Sequence, residues 1–224
     1  MTGRPPGGVA IPEGLARTLA VWPRHLPASL LLRHADREPI PRGEHGHGCP
    51  LTETGVQRAE ALGRLLGGTL DTRARTSPLP RCVTTVQAVG NGAGIATQAV
   101  PDSLLGEPGP YVYERSLAGS LFLERGTEAV VWDLVDGVPL PGIRTCEDGA
   151  RLLFDAIDRE ATSVCGCRLY VSHDAIVIPF LHWATAGAFP ARDWLAPLDG
   201  ALLVHRTDGA PELIWNGRLF TVPR

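Results

Sequence analysis

Two short apolar runs, each ending in a histidine, constrain this chain more than any other feature. Leu30-Leu31-Leu32 runs into Arg33-His34 and then Asp36, Arg37 and Glu38, and the stretch 168–172 runs into His173-Asp174. An apolar run of this length bounded by polar residues reads as a strand buried on both faces, which is the environment of a parallel sheet. Open α/β sheets place their ligands beyond the carboxyl ends of the strands. Both histidines are therefore expected at one edge, and the arginines beside His34 suggest a base or nucleophile next to an anion clamp.

The intervening sequence supplies the crossovers. Val56, Ala59, Leu62 and Leu66 fall on one helical face, ended by Gly67-Gly68. Thr52 or Thr54 can cap that helix, and Thr54 with Gln57 has the capping-box spacing. A second strand is expected over 72–76. After it, Ser77-Pro78-Leu79-Pro80 turns into a helix from Arg81 to Val89, and a third strand follows over 95–100. Thr145 caps a helix whose apolar face is Leu152, Leu153, Ala156 and Ile157. The stretch 175–186 reads as an apolar helix in which Pro179 is tolerable only near the first turn. Stretches 201–206 and 212–215, separated by a turn, read as a hairpin closing the sheet.

Three segments fall outside this pattern. Residues 1–28 are rich in Pro and Gly and read as an extended N-terminal arm with one short helical turn. The arm could pack on the body or on a second subunit, as in a homodimer. Residues 37–50 form a long polar loop, and loops of that length are often functional. Residues 101–144 are irregular and glycine-rich, and read as an insert over the active edge of the sheet and not as core. The fold expected is a single α/β domain over 29–224, a three-layer sandwich with a mostly parallel mixed sheet flanked by helices.

Composition narrows the function classes. At 224 residues, with 44% hydrophobic and 20% charged residues, the chain suits one globular domain. A net charge of −3 gives no electrostatic case for nucleic acid as a partner, although it does not report local clustering of basic residues. No apolar run approaches the roughly 20 residues of a membrane span, and the N-terminal stretch lacks the apolar centre of a signal peptide, so a cytoplasmic location is expected. Five irregularly spaced cysteines suit reduced thiols better than a disulfide framework. Cys165-Gly166-Cys167 could bind metal but reads more simply as small residues in a turn. His45-x-His47-x-Cys49 lacks a partner motif and reads as a solvated or substrate-facing loop. His182 and His205 read as packing residues. Tyr111, Tyr113 and Trp132 suit a substrate wall or the insert's own core equally well.

Four stretches, LLLRHADREP, PLTETGVQRAEALGRLL, TSPLPRCVTTVQAV and LYVSHDAIV, occur in the order found in the histidine phosphatase (phosphoglycerate-mutase-like) superfamily, which the chain resembles from about Leu30 to Ile178. The resemblance implies His34 as a nucleophile forming a phosphohistidine, which splits one hard displacement into two. It implies Arg33, Arg37 and Arg81 as phosphate ligands, since guanidinium forks match phosphate oxygens. It also implies His173 as a further donor to those oxygens. No metal and no cofactor are implied, and the partner is a small phosphorylated molecule.

The proton donor has two candidates. Much of the family uses a glutamate after the third strand, where Glu107 stands, and burial near the leaving group would suit it to hold a proton. The acid-phosphatase branch uses an aspartate after the second histidine, where Asp174 stands, and Arg37 and Pro39 also match that branch. Ala35 departs from the family's glycine after the nucleophile. The activity expected is metal-independent hydrolysis of a small-molecule phosphomonoester. A phosphomutase and a regulatory pseudo-phosphatase are the alternatives.

Overall fold

A computed structural model describes residues 10–40, 46–161, 166–190, 192–206 and 211–223. Among them a seven-stranded sheet is built from β1 (Ala28–Arg33), β2 (Arg73–Thr76), β3 (Gln98–Pro101), β4 (Cys167–Ser172), β5 (Gly200–Val204), β6 (Glu212–Trp215) and β7 (Arg218–Thr221). The order is β3-β2-β4-β1-β5-β6-β7. β3, β2, β4 and β1 are mutually parallel, whereas β1–β5, β5–β6 and β6–β7 pair antiparallel. The sheet is thus mixed, with the parallel half carrying the histidines.

β1 is buried from Ala28 to Leu32, and its neighbours explain why its pattern does not alternate. It lies between β4 and β5, with Leu30 and Leu32 in the apolar cluster on one face and Leu31 in the cluster on the other. The first face is covered by α2 (Glu53–Leu66) and α3 (Pro80–Ala93), whose backbones touch because Gly63 and Gly92 present no side chain: a Cβ at either would lie 2.0 Å from a carbonyl oxygen of the facing helix. Thr52 caps α2, accepting from Gly55 N at 2.9 Å, so the first of the two expected caps is used.

Four expectations change. α1 (Glu13–Ala20) is eight residues long and packs on β5 and β6, with Leu15 fully buried. The second half of the supposed arm is therefore part of the body, while residues 1–9 lie outside the described residues. The insert holds two helices, α4 (Arg115–Arg125) and α5 (Thr127–Val135), and Val130, Val131, Trp132 and Leu134 of α5 are buried in the second main apolar cluster. That cluster is shared with α6 (Cys146–Arg159) and α7 (Asp174–Ala184), which cover the other face of the sheet. This part of the insert is core, since a mostly apolar helix is stable only where it is covered, whereas α4 buries Ala118 alone. Tyr111 joins Trp132 in that core, and Tyr113 is exposed. Pro179 lies in the second turn of α7 and not the first. β7 extends the expected hairpin through a tight turn at Asn216-Gly217, both with positive φ.

No helix among the described residues is long and apolar enough to cross a membrane.

Candidate active site

The register of the parallel strands assembles the site. Arg33 of β1 stands opposite Ser172 of β4, and Thr76 of β2 opposite Val171. The residues that follow these strands, His34, His173 and Ser77, therefore emerge at nearly one level of the same edge. His34 N donates to Ser172 O (2.9 Å) and Ser77 N to Val171 O (2.9 Å), which carries the pairing one residue past each strand.

His34 is only 3% exposed. Its Nδ1 lies 2.7 Å from Ala35 O, and because a carbonyl only accepts, Nδ1 carries the proton and Nε2 keeps its lone pair. Burial pushes the imidazole down to about 4. The bond to Ala35 works against this, and the charges of Arg81 and Arg33 add to it. A neutral ring with a fixed tautomer is the form in which a histidine attacks as a nucleophile.

His173 packs edge-on against His34, with ring centroids 5.4 Å apart. Arg81 Nη2 donates to His173 Nδ1 (3.2 Å), and since a guanidinium has no acceptor, the His173 proton must sit on Nε2, which donates to Ser77 Oγ (2.8 Å). Burial, followed by the Arg81 charge, lowers His173 to about 3.

Arg33 and Arg81 are each held by partners beside the histidines. Arg33 Nη2 pairs with Asp174 Oδ2 at 2.8 Å and Arg33 Nη1 donates to Leu195 O, while Arg81 Nη1 donates to Gly46 O at 2.9 Å. The buried Nε of Arg33 and the buried Nε of Arg81 have no acceptor among the described residues. Both guanidiniums lie below their ordinary value, mainly through burial, and the charge of Arg37 lowers each further. Arg37 itself is half-buried, its Nη1 on Glu38 O. The charges of Arg33 and Arg81 thus reach His34, and that of Arg37 reaches both guanidiniums, an arrangement that an anion would relieve.

The two carboxylate candidates differ sharply. Asp174 is nearly enclosed: Oδ2 accepts from Arg33 and from Trp194 Nε1 (3.1 Å), and Oδ1 accepts from Ala175 N (2.9 Å). Burial raises its pKa, but Arg33 and these two bonds outweigh burial, and the group lies below the usual carboxylate range. Glu107 is not buried as expected. Its side chain is 68% exposed and Oε1 lies 3.0 Å from His47 Nε2. It stays close to the site, because the preceding Gly106 packs against Ser77 and Leu105 O accepts from Ser172 Oγ (2.9 Å).

Gly46 and His47 therefore join the loop before α2 to both Arg81 and Glu107. Cys49 of the same cluster is buried, and His45 lies outside the described residues, as does Cys165. Among the described residues no group of three or more His, Cys, Asp or Glu side chains is placed to hold a metal. His205 is not mere packing, for it joins Ser29 Oγ (3.0 Å) and Asp158 (3.2 Å) at the other end of β1.

Sequence reasoning missed Trp194 and Leu195. They lie in an unpatterned segment before β5, and no spacing signal links them to Asp174 or Arg33.

The family model of the histidine phosphatase superfamily (branch 1) matches residues 29–112, from β1 past Glu107. Comparison with curated proteins gives no match. Among solved structures, a phosphoglycerate mutase from Bacillus anthracis is 16% identical with a TM-score of 0.57, covering 89% of this chain and 93% of its own. A mycobacterial glucosyl-3-phosphoglycerate phosphatase is 17% identical with a TM-score of 0.54, covering 80% of this chain and 90% of its own. A structure described as mycobacterial hydrolase 2 is 18% identical with a TM-score of 0.55, covering 86% and 88%. The resemblance seen in the sequence is thus matched by a family model over β1 to β3 and by the fold of the whole sheet.

Proposed function

We propose that this chain, which has the histidine phosphatase fold and matches that superfamily's model through the stretch bearing His34, Arg81 and Glu107, hydrolyses a phosphomonoester of a small molecule through a phosphohistidine. The observation that carries the reading is the neutral, tautomer-fixed His34 beside Arg33 and Arg81, whose buried Nε donors lack acceptors among the described residues.

In the first step the lone pair of His34 Nε2 attacks phosphorus and the bond from phosphorus to the alcohol oxygen breaks. The leaving oxygen takes a proton from the Glu107 carboxyl. Arg33, Arg37 and Arg81 hold the non-bridging oxygens, and positioning with charge stabilisation is most of what phosphoryl transfer requires. His173 Nε2–H can turn from Ser77 to the same oxygens. In the second step water attacks phosphorus and gives its proton to Glu107, and the P–N bond breaks to return the electron pair to His34. Glu107 is assigned the proton because it is accessible, whereas Asp174 is occupied by three donors, one of them a guanidinium.

An aryl phosphate in EDTA tests the reading. Wild-type protein is expected to turn it over and to form an acid-labile phosphoenzyme, and His34→Ala to lose both. A His34→Ala protein that retained either would remove His34 as nucleophile.

A further inference from the structure

We propose that Trp194 is a positioning residue for the phosphate clamp: its indole N–H fixes the Asp174 carboxylate, which in turn aims Arg33 at the substrate's phosphoryl oxygens. This rests on the reading of the His34 site given above, and on a contact whose indole lies outside the four family-like stretches.

The geometry is that of a strap. Residues 194–199 cross the active edge on the way to β5 and touch it four times. Asp199 O accepts from Arg33 N (3.0 Å), and Leu198 N donates to His34 O (3.1 Å). Leu195 O accepts from Arg33 Nη1, and Trp194 Nε1 donates to Asp174 Oδ2. Two of these contacts fix the backbone on either side of the nucleophile, and two fix the side chains that orient Arg33. Arg192 and Leu198, near its ends, hold φ of 66° and 63°, a conformation that non-glycine residues keep only where the surroundings impose it.

Asp174 Oδ2 is the hinge of the arrangement. It accepts from Arg33 and from Trp194, while Oδ1 is spent on Ala175 N. With side chains only 12% and 20% exposed, Arg33 and Asp174 have little water to replace a lost partner. Removing the indole N–H leaves the carboxylate one donor short, which favours its protonated form and releases its grip on Arg33. The strap is itself anchored from behind. The Trp194 ring packs edge-on against Trp132 of α5 (5.9 Å), and Arg192 stacks over Trp132 and pairs with Asp136 (2.7 Å). The insert is thereby connected to the clamp through one indole.

Trp194→Phe keeps an aromatic ring against Trp132 and removes the N–H together with the smaller ring that carries it. The expected result is a drop in kcat/KM of about tenfold, as for one buried hydrogen bond to a charged group, with weaker inhibition by inorganic phosphate to a similar extent. The acid limb of the pH–rate profile should also move up as Asp174 becomes easier to protonate. A purely structural role would lower the melting temperature and leave that limb in place. Asp174→Asn is the second variant, expected to lose phosphate affinity in the same way and to be insensitive to a further Trp194→Phe change. Calorimetric titration with inorganic phosphate separates the two levels of the argument. A wild type that binds phosphate without turnover overturns the phosphatase reading alone. A Trp194→Phe protein that binds phosphate as wild type does, with an unmoved acid limb, overturns the proposal.

Discussion

The two histidines that build the site should make the fold sensitive to mild acid. Burial, more than any charge, holds His34 near about 4 and His173 near about 3, whereas in an unfolded chain both return to about 6.5. A base whose folded value is depressed is neutral in both states at alkaline pH, so it contributes no pH dependence there. Below about 6.5 the unfolded chain takes up a proton that the folded chain refuses. Stability then falls by about 1.4 kcal/mol per pH unit for each histidine, until pH reaches the folded value. Between neutrality and pH 5 each histidine should remove about 2 kcal/mol, a large share of the stability of an ordinary domain. Asp174 and Glu160, both held below the usual carboxylate range, lose their contribution only at lower pH, below about 4.5. His182 and His205 are also lowered, so the two site histidines must be isolated by difference. Urea unfolding of wild type, His34→Asn and His173→Gln at about pH 7.5 and 5 does this. The asparagine amide can replace Nδ1–H toward Ala35 O, and the glutamine amide can replace Nε2–H toward Ser77. Each variant should lose about 2 kcal/mol less than wild type between the two conditions. Identical losses in all three proteins would refute the claim that these rings are buried in the neutral form.

Gly55→Ala should destabilise the protein by about 1–3 kcal/mol in urea unfolding, as over-packing does, because a Cβ there would lie 2.2 Å from Asp36 O, two residues beyond His34. Turnover should fall with it. Cys82, pushed up to about 12 by burial, should be alkylated roughly a thousandfold more slowly than a free thiol in the native protein and normally after unfolding, as followed by peptide mass spectrometry.

What the sequence made legible was whatever the local pattern determines. β1 and β4 could be read because a strand buried on both faces has no polar alternation to hide it, and strand register then forces His34, His173 and Ser77 to one edge. α5 escaped because Val130, Val131, Trp132 and Leu134 give an apolar stretch without a polar face, set among glycines that suggest a loop. β7 escaped because three of its four residues are exposed, although Asn216-Gly217 carried the signal of a tight hairpin turn. The strap could not be read. Trp194 is 20 positions from Asp174 and Leu195 is 162 from Arg33, so both contacts depend on how β5 returns beside β1. That pairing is a property of the folded sheet and not of any window of residues.

Ala35 is where sequence and structure bear on each other most closely. The resemblance leads one to expect glycine there, and an alanine beside the nucleophile is the one hint that the chain binds phosphate without cleaving it. Glycine is required where φ is positive, yet among the described residues the non-glycines with positive φ are Ala186, Arg192, Leu198 and Asn216. Ala35 is fully buried, and it packs in the apolar cluster with Leu32 and Cys82. The site draws on its backbone: the carbonyl fixes the His34 tautomer, and the N–H donates to Thr85 Oγ1 (3.1 Å), whose hydroxyl donates in turn to Arg81 O (2.7 Å). Thr85 thus ties the residue after His34 to the turn of α3 that presents Arg81. An alanine meets every one of these demands, so its presence gives no reason to withhold nucleophilic chemistry from His34.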